Sequence, residues 1–565
     1  MKQIQWTQWG PEAFARAQRE DRPILLSISA VWCHWCHVMD DTTYSNELVI
    51  DAINENYVPI RVDNDERPDI NARYNMGGWP TTAFLTPEGM TLTGATYLPP
   101  EQMQRALGDM LRFYTSQKSD IEKRAAEIRS ARIDYGVTPI ANINPEMIDK
   151  LTAGIVANYD EEYGGFGDAP KFPQPELLDF LFAEWRAVDD PHLYEVVART
   201  LAEMANGGMY DHVEGGFFRY STTRDWSVPH FEKMSEDHAG LIRVLAQLQI
   251  AVPTNHTRET LGSALEYLRT VLRDPQTHLF AGSQDADEEY FALPMPERCT
   301  RQAPFVDHRS YTNWTSALAG AFAWASLALQ DAVLSAEALA TLDAIHNRLH
   351  DESGLLYHVV SPGEPPRISG LLGDQVSYVR ALLDTYEITG EPRMLDRAIA
   401  HADRVLARFC AVDGGFYDSV HDEKIGRLEI SDRPIGENGI FAECLLRLHV
   451  ITANEAYQEA AEGVLTLYAR TFERAGSFAA TYARALRRYF TKAVSVRIQG
   501  SLEATADLRE ASRRLPGAFV TVHGEVGPTP AAYVCVGTTC AAPVASATEL
   551  RHAYDALRQA QVDEV

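Results

Sequence analysis

Cysteine is scarce in this chain: there are 7 in 565 residues, at positions 33, 36, 299, 410, 444, 535 and 540. So odd and scattered a set excludes the disulfide framework of small secreted domains and points to a reducing compartment. Positive charge is also in deficit. The 51 Lys and Arg stand against 79 Asp and Glu, a net charge of −28, and the acidic residues run the whole length. That leaves no basic footprint for nucleic acid or an anionic membrane. No apolar run reaches about 18 residues, which excludes a transmembrane helix. The opening MKQIQWTQWGPEAF has no apolar stretch of the signal-peptide kind. The cytoplasm is the expected location, with neither nucleic acid nor membrane as partner.

What is present is a globular composition, 45% apolar, 23% charged and 10% aromatic, in a chain too long for one core. Residues 1–115 alternate helix and strand signals. Pro11–Glu20 reads as a helix, Pro23–Ala30 (PILLSISA) as a buried strand, and Cys36–Asn56 as a helix. Tyr57–Asp63, Thr81–Thr86 and Thr91–Tyr97 read as further strands, an α/β sheet. A long helix is expected from Pro100 to about Ser130, and 136–145 (GVTPIANINP) reads as a linker, so 116–145 forms a connection.

Between 146 and 490 pairs of helical segments are punctuated by turns of one flavour: an acidic residue, then glycine, then an aromatic or apolar residue. They are DEEYGGF (160–166), DHVEGGFFRY (211–220), DPQTHLFAGSQDAD (274–287), DESGLLYH (351–358), DGGFYD (413–418) and ERAGSFAAT (473–481). Six hairpins, none able to bury its face alone, are expected to close into an (α/α)6 barrel, with an irregular bundle or open solenoid as the alternative. Residues 491–565 change character again: AVSVRIQG, GAFVTVHG and AAYVCVG read as strands and two segments as helices, a small α/β appendage.

Trp32-Cys33-His34-Trp35-Cys36-His37 follows a strand signal and opens a helical one. A helix N-terminus stabilises a thiolate, so Cys33 is expected to have the lower pKa and the greater exposure, with Cys36 placed to resolve a mixed disulfide. Gly77-Gly78-Trp79-Pro80 precedes the third strand, where a cis proline facing the cysteines is expected. Two bland readings stand beside the redox one. One is a metal site of Cys33, Cys36 and His37, for which no fourth ligand is evident, so no metal is expected. The other is a pair with no redox work. Cys535 and Cys540 are either a second thiol site or two inert small residues.

These stretches carry a resemblance. CHWCHVM (33–39), RVDNDERPDI (61–70), GGWPTTAFLTPEG (77–89), TYLPP (96–100), APKFPQPELL (169–178), the run GGMYDHVEGGFFRYSTTRDWSVPHFEKMSED (207–237), SQDADEE (283–289) and AYVCVGTTCAAPV (532–544) together resemble the spermatogenesis-associated protein 20 family. The resemblance implies a thioredoxin-like domain joined to a six-hairpin glycosidase-like barrel, similar to those of N-acylglucosamine 2-epimerases and cellobiose epimerases. It implies no cofactor. Within 290–312 the chain reads FALPMPERCTRQAPFVDH, a departure from the family pattern.

The densest polar cluster, Tyr210, Asp211, Arg219, Trp226, His230, Glu232, Lys233 and Asp237, is interleaved with glycine and aromatics as a sugar pocket would be. Asp285, Asp287 and Glu288 form a second acidic group, and Asp374 and Asn438 sit at comparable helix starts. The bland reading makes the charged residues a buried ion network and Trp226 core. The epimerases that the barrel resembles use a pair of histidines from separate helices. His230 is the first candidate, and His308, His358 and His401 do not sit in an obvious motif. Three functions follow. The first is a thiol-disulfide oxidoreductase with catalytic Cys33 and Cys36, Trp79 and Pro80 beside them, and a protein thiol or disulfide as partner. The second is a sugar epimerase, isomerase or glycoside-processing enzyme with catalytic His230 and Asp237 and a sugar ligand. The third is a non-enzymatic scaffold.

Overall fold

A computed structural model describes residues 2–131, 142–420, 423–501, 503–515, 520–525 and 529–562. Most of the expected linker at 136–145 lies outside the described residues. The chain divides into two compact units, Met1–Thr138 with Ser419–Asp432, and Pro139–Asp418 with Arg433–Val565. Among the described residues no helix is long and apolar enough to cross a membrane.

The first unit holds a five-stranded sheet of β1 (Thr7–Gln8), β2 (Ile24–Ser29), β3 (Val58–Asp63), β4 (Thr81–Leu85) and β5 (Thr91–Ala95), in the order β1-β3-β2-β4-β5. β3 runs parallel to β1 and β2, while β4 is antiparallel to β2 and β5. The apolar run ILLSIS makes β2 central and buried on both faces. Ile24, Leu26 and Ile28 enter one core with Phe14 and Tyr74, and Leu25 enters a second with Met39, Ile53 and Leu107. The helices are α1 (Pro11–Glu20), α2 (His34–Thr42), α3 (Glu47–Asn56), α4 (Pro68–Tyr74) and α5 (Pro100–Ala131). The single helix expected over Cys36–Asn56 is two. Asn46 Oδ1 accepts from the N–H groups of Leu48 and Val49 at 3.1 and 3.3 Å and starts α3 afresh. Ser419–Asp432, expected in the barrel, belongs here instead. Leu428 joins the first core, the Arg427 N–H donates to the Tyr74 hydroxyl at 2.8 Å, and Arg67 pairs with Glu423 at 2.8 Å.

The second unit is built on six inner helices, α7 (Pro175–Val188), α9 (Ser235–Ala251), α13 (Thr312–Leu329), α15 (Leu372–Thr389), α17 (Ile435–Thr452) and α20 (Ala480–Phe490). Each packs on the next, and α20 returns to α7, so the ring closes as an (α/α)6 barrel. Outside lie α6 (Glu146–Val156), α8 (Pro191–Asn206), α10 (Asn255–Tyr267), α14 (Ala332–Arg348), α16 (Pro392–Phe409) and α18 (Glu455–Tyr468). Hydrophobic patterning decides which is which. α16 buries a stripe at Met394, Ala398, His401, Ala402, Val405 and Phe409, whereas α13 is buried nearly all round. The loops leading into the inner helices carry short helices α11 (Glu288–Phe291), α12 (Met295–Arg298) and α19 (Phe472–Ala475). They also carry the short strands β6 (Tyr220–Ser221), β7 (Pro229–His230), β8 (Lys233–Met234), β9 (Ser283–Gln284), β10 (Val306–Asp307), β11 (Ser310–Tyr311), β12 (Tyr357–Val360) and β13 (Arg367–Ser369). A C-terminal sheet of β14 (Val494–Gln499), β15 (Val520–Glu525), β16 (Ala531–Val536) and β17 (Thr539–Cys540), ordered β15-β14-β16-β17, packs with α21 (Ala506–Arg513) and α22 (Ala547–Val562).

The recurrent turns each join an outer helix to the next inner one, and the first two share a lock. Asp160 and Asp211 each accept from the N–H groups two and three residues on. A buried lysine, Lys171 or Lys233, donates to the other carboxylate oxygen and to the carbonyl of Gly164 or Gly215. Gly216 lies at φ +84°, and a Cβ there would meet the Tyr267 ring at 2.7 Å. An inner-helix side chain then holds the N–H after the glycines. His238 Nε2 accepts from Phe217 at 2.8 Å, Gln375 Oε1 from Leu356 at 3.0 Å, and Asn438 Oδ1 from Phe416 at 2.7 Å. These clamps bring the inner-helix first turns to one end of the ring. Removing one partner of a buried pair strands the other charge. Lys233→Met is expected to lower the barrel's unfolding free energy in urea by about 3 kcal/mol, and Lys233→Met/Asp211→Leu to recover part of it. A loss below about 1 kcal/mol would show that charge does not hold the lock.

Candidate functional site

In the first unit the chain leaves β2 and turns at Cys33, the N-cap of α2. Cys33 Sγ accepts from the Cys36 N–H at 3.2 Å and is disulfide-bonded to Cys36. The Trp79–Pro80 peptide is cis. The Trp32 indole donates to buried Asp65 at 2.6 Å, its ring stands edge-on to Trp79 at 5.8 Å, and the Trp79 indole donates to Asn71 at 3.1 Å. This pins the Trp79–Pro80 loop near the cysteines. Cys33 is the more accessible sulfur-bearing residue only marginally, at 5% exposed against 3% for Cys36. The expected prominence of Cys33 is therefore corrected: β2 and the Trp32 side chain set the motif into the surface, and the exposed rim is His34, Trp35 and His37. The two sulfurs are bonded to each other.

Cys535 and Cys540 face each other across the β16–β17 hairpin and are bonded. They are a cross-strand staple, not two separate thiols.

In the barrel the sequence cluster splits in two. One part is scaffold. Asp211 and Lys233 form the turn lock already described, joined by Arg298, whose guanidinium reaches Asp211 at 2.7 Å and Glu214 at 2.8 Å. Burial opposes ionisation of Asp211, but Lys233 and Arg298 hold its carboxyl below the usual range. Burial pushes Lys233 down to about 8 against the pull of Asp211. Tyr210 is buried with its hydroxyl on the Thr260 carbonyl, and Trp226 is core, its indole on the Tyr163 carbonyl at 2.9 Å. Asn438 is a backbone clamp. Asp374 is buried against His358 Nδ1 at 2.9 Å, with its carboxyl raised by burial despite that partner. Asp287 caps α11 through the Tyr290 N–H at 2.8 Å. Asp285 accepts from the Ala286 N–H at 2.8 Å, and Glu288 is exposed on α11. Tyr210, Asp211, Trp226, Lys233, Asp287, Asp374 and Asn438 thus have packing or backbone partners in this structure.

The other part converges. His230 Nδ1 bonds buried Glu232, and its ring stacks on Tyr220 at 4.8 Å, which stacks on Phe172 at 4.8 Å. Asp237, at the start of α9, feels both Glu232 and Arg219. Burial pushes its carboxyl up to about 6, Arg219 pulls it down and Glu232 raises it further. Glu236 beside it is pushed up to about 7 by burial and by Asp237, relieved by Arg219, with Glu176 and Glu437 adding to the rise. Glu236 is nonetheless exposed to solvent. His230, Glu232, Arg219 and Asp237 are thus brought together as a candidate acid/base site at the barrel mouth. Sequence reasoning missed Glu236, Glu176, Glu437 and Phe172. The signal available was an acidic residue in the first turn of each of three inner helices.

Residues 1–132 match the DsbH-type thioredoxin family model, described as a protein of unknown function, DUF255. Spermatogenesis-associated protein 20 of Mus musculus is 35% identical over 311 residues, 50% of this chain and 39% of that protein. An uncharacterized protein of Caenorhabditis elegans, B0495.5, is 32% identical over 304 residues, 50% of this chain and 41% of its own length. The matches thus span about two fifths of these curated relatives. Among solved structures, the cellobiose 2-epimerase from Bacillus thermoamylovorans B4167 aligns at 13% identity and TM-score 0.48, over 57% of this chain and 87% of that one. The GH76 α-mannanase BT2949 of Bacteroides thetaiotaomicron aligns at 12% and 0.47, over 62% and 96%. Over half its length, then, this chain is similar to spermatogenesis-associated protein 20, and its first 132 residues carry the DsbH-type thioredoxin-like module.

Proposed function

We propose that the first unit performs thiol–disulfide exchange on a protein partner in the cytoplasm, with Cys33 as nucleophile and Cys36 as resolving thiol. The observation that carries this reading is the Cys36 N–H aimed at Cys33 Sγ at 3.2 Å, at the positive end of α2. That donor and the helix dipole favour the thiolate of Cys33 once the pair is reduced. The Cys33 thiolate attacks one sulfur of a partner disulfide and expels the other as a thiolate. Cys36 then attacks Cys33 Sγ, releases the second partner thiol and restores the 33–36 disulfide, so two electrons pass from the dithiol to the partner. An external dithiol returns the pair to the reduced state.

A second activity, in the barrel, is favoured by the mouth. Two carboxyls with pKa values raised towards neutrality, a His–Glu pair and an aromatic stack suit proton transfer on a sugar, as an epimerase, isomerase or glycoside-processing enzyme would need. Glu232 on Nδ1 makes Nε2 the basic nitrogen of His230. The scaffold reading is what remains if neither chemistry is found.

With dithiothreitol as reductant, the wild-type protein is expected to accelerate insulin reduction and Cys33→Ser to lose at least 90% of that acceleration (on the order of the loss expected for a missing nucleophile). Equal rates remove the redox reading. For the mouth, NMR on a panel of hexoses and β-linked disaccharides is expected to show C2 or anomeric exchange that Asp237→Asn suppresses; no exchange and no binding by any of them leaves the scaffold. The mouth also sets a pH signature. Asp237 ionises near 3.8 when unfolded and about 6 when folded, so the native state binds the extra proton and its stability falls as pH rises through that window. Asp237→Asn is expected to stabilise the barrel by up to about 3 kcal/mol at pH 7.5 and by only about 0.5 kcal/mol at pH 4. A gain independent of pH in thermal melts would contradict this.

A further inference from the structure

The opposite end of the barrel from the mouth holds a cavity of about 90 Å³ that the functions above do not use. Its walls are the middle and last turns of the inner helices and the end of α21 with the start of β15, all within the second unit. Seven arginines line it against three carboxylates, Asp384, Glu387 and Glu443. The carboxylates are already shared. Asp384 meets Arg243 and Arg447, Glu387 meets Arg447 at 2.9 Å and Arg513 at 2.8 Å, and Glu443 meets Arg484 at 2.8 Å and Arg488 at 3.2 Å. Arg186 adds a further guanidinium, whose recorded bond is to the neutral Leu515 carbonyl at 2.8 Å. Arg513 is nearly buried, 4% exposed at its side chain, and its Nε is sealed from solvent with no hydrogen-bond acceptor.

We propose that this cavity binds a small multivalent oxyanion of the phosphate class, held by Arg186, Arg488, Arg513 and Arg514. A guanidinium presents its N–H groups as a planar fork that matches tetrahedral oxyanions. The volume suits one such ion or a few waters, since a water occupies about 30 Å³ of liquid. Desolvation supports the assignment independently: burial drives Arg488 down to about 10, and Arg186 and Arg513 shift the same way. An anion there would neutralise excess charge and tie α21 and β15 to the barrel.

The test is calorimetric titration and thermal melting of the whole chain with inorganic phosphate, sulfate and glycerol phosphate, at ionic strength matched with sodium chloride. Saturable binding of phosphate, with a concentration-dependent rise in melting temperature that chloride does not give, is expected. Arg186→Met, which removes a bond to the neutral Leu515 carbonyl, is expected to weaken binding at least tenfold while leaving the anion-free protein as stable as wild type or more so. Arg514→Gln, at a side chain 40% exposed, provides a second variant that leaves the core untouched and is expected to weaken binding as well. Binding by the ester but not by free phosphate identifies the source as a phosphorylated metabolite and supports the site. No response beyond chloride, or equal responses in wild type and both variants, overturns it.

Discussion

A carboxylate taken out of water has to be met by a cation, and in the barrel that constraint is answered differently along its length. In the walls it is answered by small clusters: Asp160 with Lys171 and Arg224, and Asp211 with Lys233 and Arg298, bolt the turns that begin α7 and α9. Down the lumen it is answered by a lattice. Asp179 takes Arg380 at 2.8 Å, Arg484 at 3.0 Å and Arg243 at 3.4 Å, while Asp384 bridges Arg243 and Arg447. The lattice leaves a residue of one sign at each end. At the first turns of the inner helices the acids outnumber the cations, and the carboxyls of Glu236 and Asp237 are raised above the usual range. At the last turns the arginines outnumber the acids. Parallel inner helices favour this polarity, since their N-termini are positive and their C-termini negative. The candidate proton-transfer site and the proposed anion cavity are two ends of one charge distribution.

The architecture was legible because it rests on periodic features. The acidic–glycine–aromatic turns at 160, 211, 274, 351, 413 and 473 mark the outer-to-inner connections, and ILLSIS marks the central strand. What the sequence hid was phase and destination. Asn438 and Glu437 are adjacent at the start of α17, yet a step of about 100° per residue sends one to clamp the Phe416 backbone and the other towards Glu236. The same step separates Asp237 from His238, which is a neutral acceptor held down to about 4 by burial. Choosing between neighbours requires knowing which side of the helix faces the lumen, and a helix buried all round gives no amphipathic signal. Arg298 was invisible for another reason: its partners Asp211 and Glu214 lie more than 80 residues away. Likewise nothing local in Ser419–Asp432 says that Leu428 packs with Phe14 and Tyr74 rather than with the barrel.

The two disulfides show how the same bond takes a different character from its surroundings. Cys535 and Cys540 sit opposite each other on paired strands, where dipoles alternate and largely cancel. Reduction there releases two thiols with no field to favour a thiolate, so the bond acts as a clasp on the hairpin. Cys33 caps α2, and its Sγ is met by an amide of the helix it begins. Opening that bond creates a charge where the backbone has already placed a donor, so the reduced form is stabilised relative to an ordinary dithiol and the sulfur is a better leaving group. The pair lies in a recess with Trp35 49% exposed at the rim, so the exchange proposed for it would draw its chemistry from the helix end and its access from that recess.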